Sequence, residues 1–175
     1  MTESPLDVRV VGPDERDPWT AQTPGLQRFA AVSSGITGSQ RMWMGYAVLE
    51  PGGKTGVHHH GESETAIYVI SGVTRWWVGD HLDDVREARA GDFVFIPPGI
   101  VHWEQNASDT EPVEMVVARS TQEAIVVPVT GHPHAPEHAE TVLSCLRTIL
   151  EEEWEHHRYA VRDLDALDGS LSESS

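Results

Sequence analysis

Three consecutive histidines are the residues in this chain best placed to do chemistry. His58, His59 and His60 are followed by Gly61, Glu62, Ser63 and Glu64, so three imidazoles and two carboxylates fall within seven residues. The chain then enters an apolar, β-rich run, Thr65 to Ile70. A β-strand sends alternate side chains to opposite faces, which puts His58 and His60 on one face and His59 on the other. Two imidazoles so placed can reach a common metal ion. Gly61 lets the chain turn, after which Glu62 or Glu64 can return a carboxylate toward the same point. Further along, Phe93-Val-Phe-Ile96 leads into a Pro97-Pro98-Gly99 turn, and His102 opens another strand. Glu104 lies two residues past His102 and shares its face, as a general acid or base beside an ion or as a rim carboxylate. Tyr68 has the parity of Glu64 and is expected to line the same cavity. A lone histidine is ordinarily a surface or turn residue; the metal reading rests on the constellation.

Together the two stretches resemble the paired motifs of the cupin superfamily. In the first, Gly52, His58, His60, Glu64 and Gly72 fall at the family's spacings, except that seven residues rather than six separate Glu64 from Gly72. In the second, Gly91, Pro97, Gly99, His102 and Asn106 fit throughout, and eighteen residues lie between Gly72 and Gly91. The resemblance covers roughly residues 30 to 130. It implies an all-β fold, a small double-stranded β-helix (jelly-roll) barrel, with one divalent transition metal held by His58, His60, Glu64 and His102. The extra residue leaves an alternative open. If strand register is set from Gly72, Thr65 takes the carboxylate position, the site has three histidines, and Glu64 faces away. Glu64 is the expected ligand, because a carboxylate offsets metal charge and a threonine does not. Such ligands suit Fe(II), Mn(II), Ni(II), Zn(II) or Cu(II). His59 is expected on the outer face or hydrogen-bonded to a ligand, and Glu62 in solvent.

The elements that must position these residues are short strands punctuated by Gly and Pro, the pattern of a barrel or sandwich. Strands are expected at 26–32, 42–49, 65–70, 73–78, 85–88, 93–96, from His102 onward, at 113–119 and at 124–127, with 8–11 as a short edge strand. Residues 1–29 read as an N-terminal arm, 30–130 as the barrel, 131–168 as a linker and C-terminal helix, and 169–175 as a disordered tail. In the helix, Val142, Leu146, Ile149 and Leu150 share one face, expected to cover the barrel or a second subunit. Trp43, Trp76, Trp77 and Trp103 cannot all point outward, so some offer an aromatic wall to a flat substrate. His132, His134 and His138 fall in the proline-rich linker and read as polar spacer. Cys145 reads as a small packed residue of the helix.

Composition narrows the partners. With 28 acidic and 12 basic residues the formal charge is −16, which repels nucleic-acid phosphates and anionic membranes. No apolar run approaches the length of a spanning helix, about 18 residues. The first residues lack the basic-then-apolar pattern of a secretory signal. The single cysteine excludes an intramolecular disulfide and suits a reducing, cytoplasmic compartment. The resemblance implies a homodimer and a metal-dependent enzyme acting on a small organic molecule, aromatic or polyketide-like. An oxygenase is the first reading. A redox-silent cyclase or isomerase of the polyketide-cyclase type is the second, and a non-catalytic ligand-binding barrel the third.

Overall fold

The computed structural model describes residues 8–122 and 126–129. The chain divides into two units, Met1–Pro136 and Glu137–Ser175, and the described residues belong to the first. The expected C-terminal helix and tail, the His132, His134 and His138 cluster, and Cys145 lie outside the described residues.

Among the described residues ten strands run in chain order: β1 (Leu26–Val32), β2 (Trp43–Leu49), β3 (His58–His59), β4 (Thr65–Ser71), β5 (Val73–Val78), β6 (Asp84–Arg89), β7 (Phe93–Ile96), β8 (His102–Asn106), β9 (Val113–Arg119) and β10 (Val127–Pro128). They form two antiparallel five-stranded sheets, ordered β1-β2-β9-β4-β7 and β10-β3-β8-β5-β6. This is the jelly-roll barrel expected from the paired motifs. Alternation explains why these segments are strands. In β2, Trp43, Gly45, Ala47 and Leu49 face inward, and in β9 Val113, Met115, Val117 and Arg119 do. The shared interior packs Leu26, Trp43, Leu49, Ile67, Val69, Trp76, Ile96, Val113, Met115 and Val117 into one core. Burying a side chain of this size is worth about 1.5–3 kcal/mol, so the interior carries the fold.

Residues 8–11 are not a strand: Val8 and Val10 are exposed, and Pro13 opens a 3-10 turn, Pro13–Glu15. Proline's missing N–H and fixed φ suit that turn rather than a ladder. A second unexpected element is the single helical turn α1 (Ser34–Thr37), where composition predicts only a loop. Ser33 caps it by accepting from the Ile36 N–H, and Gly38 closes it in the left-handed region.

Two pairings place the histidines. β3 and β8 lie side by side with His58 opposite His102. β4 lies between β9 and β7, with Thr65 opposite both Arg119 and Ile96. The β4–β5 turn is closed by Gly72 at φ 82°, and a Cβ there would stand 2.9 Å from the Pro112 carbonyl oxygen. Only glycine fits that turn, so Gly72 pins the register of β4.

Candidate metal centre

His58, His60 and His102 converge inside the barrel, each offering one ring nitrogen, with those atoms within 4.8 Å of one another. The His58 and His102 rings are 4.4 Å apart between centroids, and His60 lies 5.1 and 4.7 Å from them. All three are buried. The backbone fixes their tautomers. His58 Nδ1 is 2.8 Å from the Gly56 carbonyl and His102 Nδ1 is 2.9 Å from the Ile100 carbonyl. A carbonyl only accepts, so both Nδ1 atoms carry the proton and both Nε2 atoms present a lone pair. His60 Nδ1 meets the Thr65 hydroxyl at 2.8 Å, which leaves its Nε2 for the centre as well. His102 Nε2 is buried with no hydrogen-bond partner among the described residues. Buried nitrogens are rarely left so, and a metal ion is the partner that this donor set fits.

Glu64 does not join them. Its side chain is exposed, and its backbone is tied to Ser120, the N–H donating to Ser120 Oγ at 3.0 Å and the carbonyl accepting from Ser120 N–H at 3.1 Å. Thr65 is fully buried in its place. Register counted from Gly72 therefore prevails over charge complementarity, and the carboxylate position of the family pattern holds a threonine. Tyr68 follows Glu64 outward: it is 38% exposed, packs against Phe93 at 4.8 Å, and is not among the residues that line the cavity reaching His102. His59 also faces outward, accepting from the Gly61 N–H at 3.0 Å, and Glu62 is exposed.

Thr65 therefore supports a histidine. Thr65→Val removes the hydroxyl at constant shape and should weaken metal binding about 10–100-fold. Glu64→Ala should leave metal affinity unchanged. Competition against a fluorescent chelator measures both, and a larger loss in Glu64→Ala would reinstate the carboxylate.

Glu104 shares the buried face with His102. Thr55 clamps it: the Thr55 hydroxyl donates to Glu104 Oε2 at 2.9 Å, and the Glu104 N–H donates to Thr55 Oγ1 at 3.1 Å. Two buried arginines that no motif singles out complete the interior. Arg28 on β1 donates to the Thr23 hydroxyl, and its Nε is buried without a hydrogen-bond partner among the described residues. Arg119 on β9 stands opposite Thr65. Burial lowers Arg28 to about 10 and Arg119 to about 9, against a raising influence of Glu104, so both remain cations at neutral pH. Strand parity is the signal that could have found them. Arg28 falls on the inward phase of Leu26 and Ala30, and Arg119 on that of Met115 and Val117.

Burial also pushes the three imidazoles toward their neutral, ligand-ready form. His58 falls to about 4, and His60 and His102 are lowered too, with desolvation the largest cause in each case. Depressed values in the fold mean that stabilisation is present above the ordinary 6.5 and lost as pH falls through the folded value. The melting midpoint of the metal-free protein should therefore drop between pH 6.5 and pH 4, with His58 alone contributing on the order of 3 kcal/mol. A midpoint constant across that range would contradict the burial of these rings.

A cavity of about 420 Å³ reaches His102. Its lining includes Trp76, Val78, Ala88, Val94, Ile96 and Ile100, with Asp84, Arg86 and Glu87 from β6 and Phe93 and Phe95 from β7. β6 and β7 are the terminal strands of their two sheets, so the cavity lies along two sheet edges. Trp43 and Trp76 are the inward tryptophans; Trp77 and Trp103 stack on each other at 3.9 Å on the opposite face.

A two-sheet barrel with inward histidines from neighbouring strands defines a metal-binding cupin. The family profile described as Cupin domain matches residues 45–119. Protein SchB of Streptomyces halstedii is 32% identical over 112 residues, covering 63% of this chain and 75% of that protein. This chain belongs to the cupin family. Among solved structures, oxalate decarboxylase from Bacillus subtilis at pH 4.6 superposes with TM-score 0.53 and 24% identity, over 62% of this chain and 28% of that one. Recombinant oxalate oxidase in complex with glycolate gives TM-score 0.50 and 23% identity, over 62% of this chain and 57% of that one. At these identities the likeness concerns the fold. This chain spans less than a third of the decarboxylase. A further structure of that decarboxylase, with TM-score 0.54, 23% identity and coverage of 66% of this chain and 30% of that one, is described through its Mn(II) centers. Among the described residues no helix is long and apolar enough to cross a membrane.

Proposed function

We propose that this protein is a metal-dependent cupin enzyme acting on a small organic molecule, with His58, His60 and His102 as metal ligands. The observation that carries this reading is the convergence of three buried imidazoles, with tautomers fixed at two of them, near a cavity large enough for a compact substrate. When bound, a divalent ion polarises a substrate oxygen and, if redox-active, couples the substrate to dioxygen. Three protein ligands would leave three positions on a six-coordinate ion, enough for a chelating substrate and dioxygen together, which supports the oxygenase reading. The chain's own contribution is to hold the rings neutral and to bring the substrate against His102 and Trp76. Native metal analysis of tag-free protein, followed by oxygen uptake of the Fe(II)-loaded form with phenols, flavonols and diketones, tests it. Bound iron, manganese or nickel with substrate-dependent uptake supports an oxygenase.

Glu104 favours a second reading, a redox-silent cyclase or isomerase. It is a buried carboxylate on the face of His102, oriented by Thr55, and suited to moving a proton on a substrate whose carbonyl the ion polarises. Bound zinc with anaerobic turnover would select this chemistry. The protein is proposed to work as a homodimer, which the exposed outer-face side chains of Tyr68 and Ile70 support. Light scattering checks the mass.

A further inference from the structure

A second apolar cluster lies behind two of the metal-site histidines, on the side of β8 opposite His102. It packs Val57, Leu82 and Trp103 together, with Trp77, Val101 and Val129 against them. Its members adjoin the histidines in sequence: Val57 precedes His58, Val101 precedes His102, and Trp103 follows it. One backbone arc occurs twice. His58 Nδ1 donates to the carbonyl of Gly56, two residues back, and His102 Nδ1 donates to that of Ile100. In each arc the residue between carbonyl and ring, Val57 or Val101, belongs to the cluster. The ladder adds little at the first arc, since β3 has one Cα pair with β8 and two with β10. Packing from behind is what remains to hold it.

Leu82 reaches this cluster from the β5–β6 loop in an unusual conformation. At φ 53° it is the one non-glycine residue with positive φ among the described residues. Cβ crowds the backbone in that region, and glycine would make the same turn without the strain. The loop is also tied to the second arc: the Leu82 N–H donates to the Gly79 carbonyl at 3.0 Å, and the Gly79 N–H donates to the Val101 carbonyl at 2.9 Å. Trp103 Nε1 is buried in the same place with no hydrogen-bond partner among the described residues. A strained backbone and an orphaned donor persist where the surrounding packing over-determines them, and such spots gather at functional sites.

From this we infer that Leu82 is a positioning residue for the metal centre: its side chain fills the outer cluster and so fixes the arcs 56–58 and 100–102 that aim two of the three rings. The inference rests on the metal-centre reading above and adds a residue that touches none of the reacting atoms. His60 lies outside its reach, because Thr65 on β4 holds that ring. Ligand geometry depends on side chains whose own positions are locked by packing, and here the lock sits on the far side of the sheet.

The test uses the full chain. Zn(II) affinity is measured by competition against a fluorescent chelator, and histidine ring N–H exchange by NMR of the metal-free protein. Leu82→Ala should weaken Zn(II) about tenfold, the lower end of what losing a ligand's support costs. Leu82→Gly relieves the left-handed backbone but empties the cluster too. It should weaken Zn(II) as much, while melting at a higher temperature than Leu82→Ala. Leu82→Met keeps the volume and should retain the parent's affinity. Leu26→Ala removes the same kind of buried side chain from the main core, on β1, which pairs with neither β3 nor β8. It should lower the melting temperature and leave the affinity unchanged. In the metal-free chain the ring N–H protons of His58 and His102 should exchange several-fold faster in Leu82→Ala, and that of His60 should not. Parent affinity in both Leu82→Ala and Leu82→Gly overturns the inference and leaves the metal centre standing. So does an equal affinity loss in Leu26→Ala, or exchange that quickens equally at His60. Where Leu82→Ala fails to fold, Leu82→Gly decides. If the parent takes up no Zn(II), the metal-centre reading is what fails, and the exchange comparison alone decides whether Leu82 holds the rings.

Discussion

A His102→Ala variant should lose its metal almost completely. On the proposed reading three neutral nitrogens would hold the ion, and this substitution removes the one whose buried Nε2 has no other partner among the described residues. Losing a supporting hydrogen bond costs about 10–100-fold in affinity, and losing a ligand costs more than that. The expected reading is metal content below a tenth of the parent's after identical purification. In the parent, saturating Zn(II) at about 1,000 times its dissociation constant should stabilise the fold by about 4 kcal/mol. In His102→Ala that metal-dependent rise in melting temperature should disappear. A variant that still binds one equivalent with the parent's affinity would show that the three rings do not form the site.

The second large effect is expected at Glu104. Glu104→Gln keeps the volume and the contact with Thr55 but removes the buried carboxylate whose charge raises Arg28 and Arg119. Breaking a buried charge arrangement from one side costs about 3–5 kcal/mol. Denaturant unfolding should show a loss of that size. If Glu104 also moves a proton, kcat should fall about 10²–10⁴-fold with metal content preserved, and one limb of the pH–rate profile should vanish. A stability loss with kcat and pH profile unchanged would leave Glu104 a counter-ion only. No loss of either kind would contradict its burial.

The barrel and most of the metal centre can be read from the residues, because both depend on local rules. Alternation in Trp43–Leu49 and Val113–Arg119 gives strands whichever sheet they join, and His58 and His60 share a face for the same reason. Glu64 is where the residues mislead, and the cause is register. Charge argues for the carboxylate, but Gly72 at positive φ fixes where β4 turns, and counting back from it puts Thr65 inside. Tyr68 falls with Glu64, since one residue of phase moves every side chain of a strand to the other face. The arginines escape notice for a different reason: both fall inside the expected strands 26–32 and 113–119, and they show as inward only when parity is carried through them. The His58 and His102 tautomers depend on the carbonyls of Gly56 and Ile100, which no residue pattern announces.

The two sheets meet at β6 and β7 as border strands, with an opening between them rather than a shared ladder. One lip carries Asp84, Arg86 and Glu87, and the other Phe93 and Phe95. None of these side chains belongs to β3 or β8, where the imidazoles are anchored. A doorway built this way is a replaceable part. Its width and chemistry can drift through substitutions on those lips without disturbing the strands that carry His58 and His102, so the entrance can be refitted for differently shaped guests.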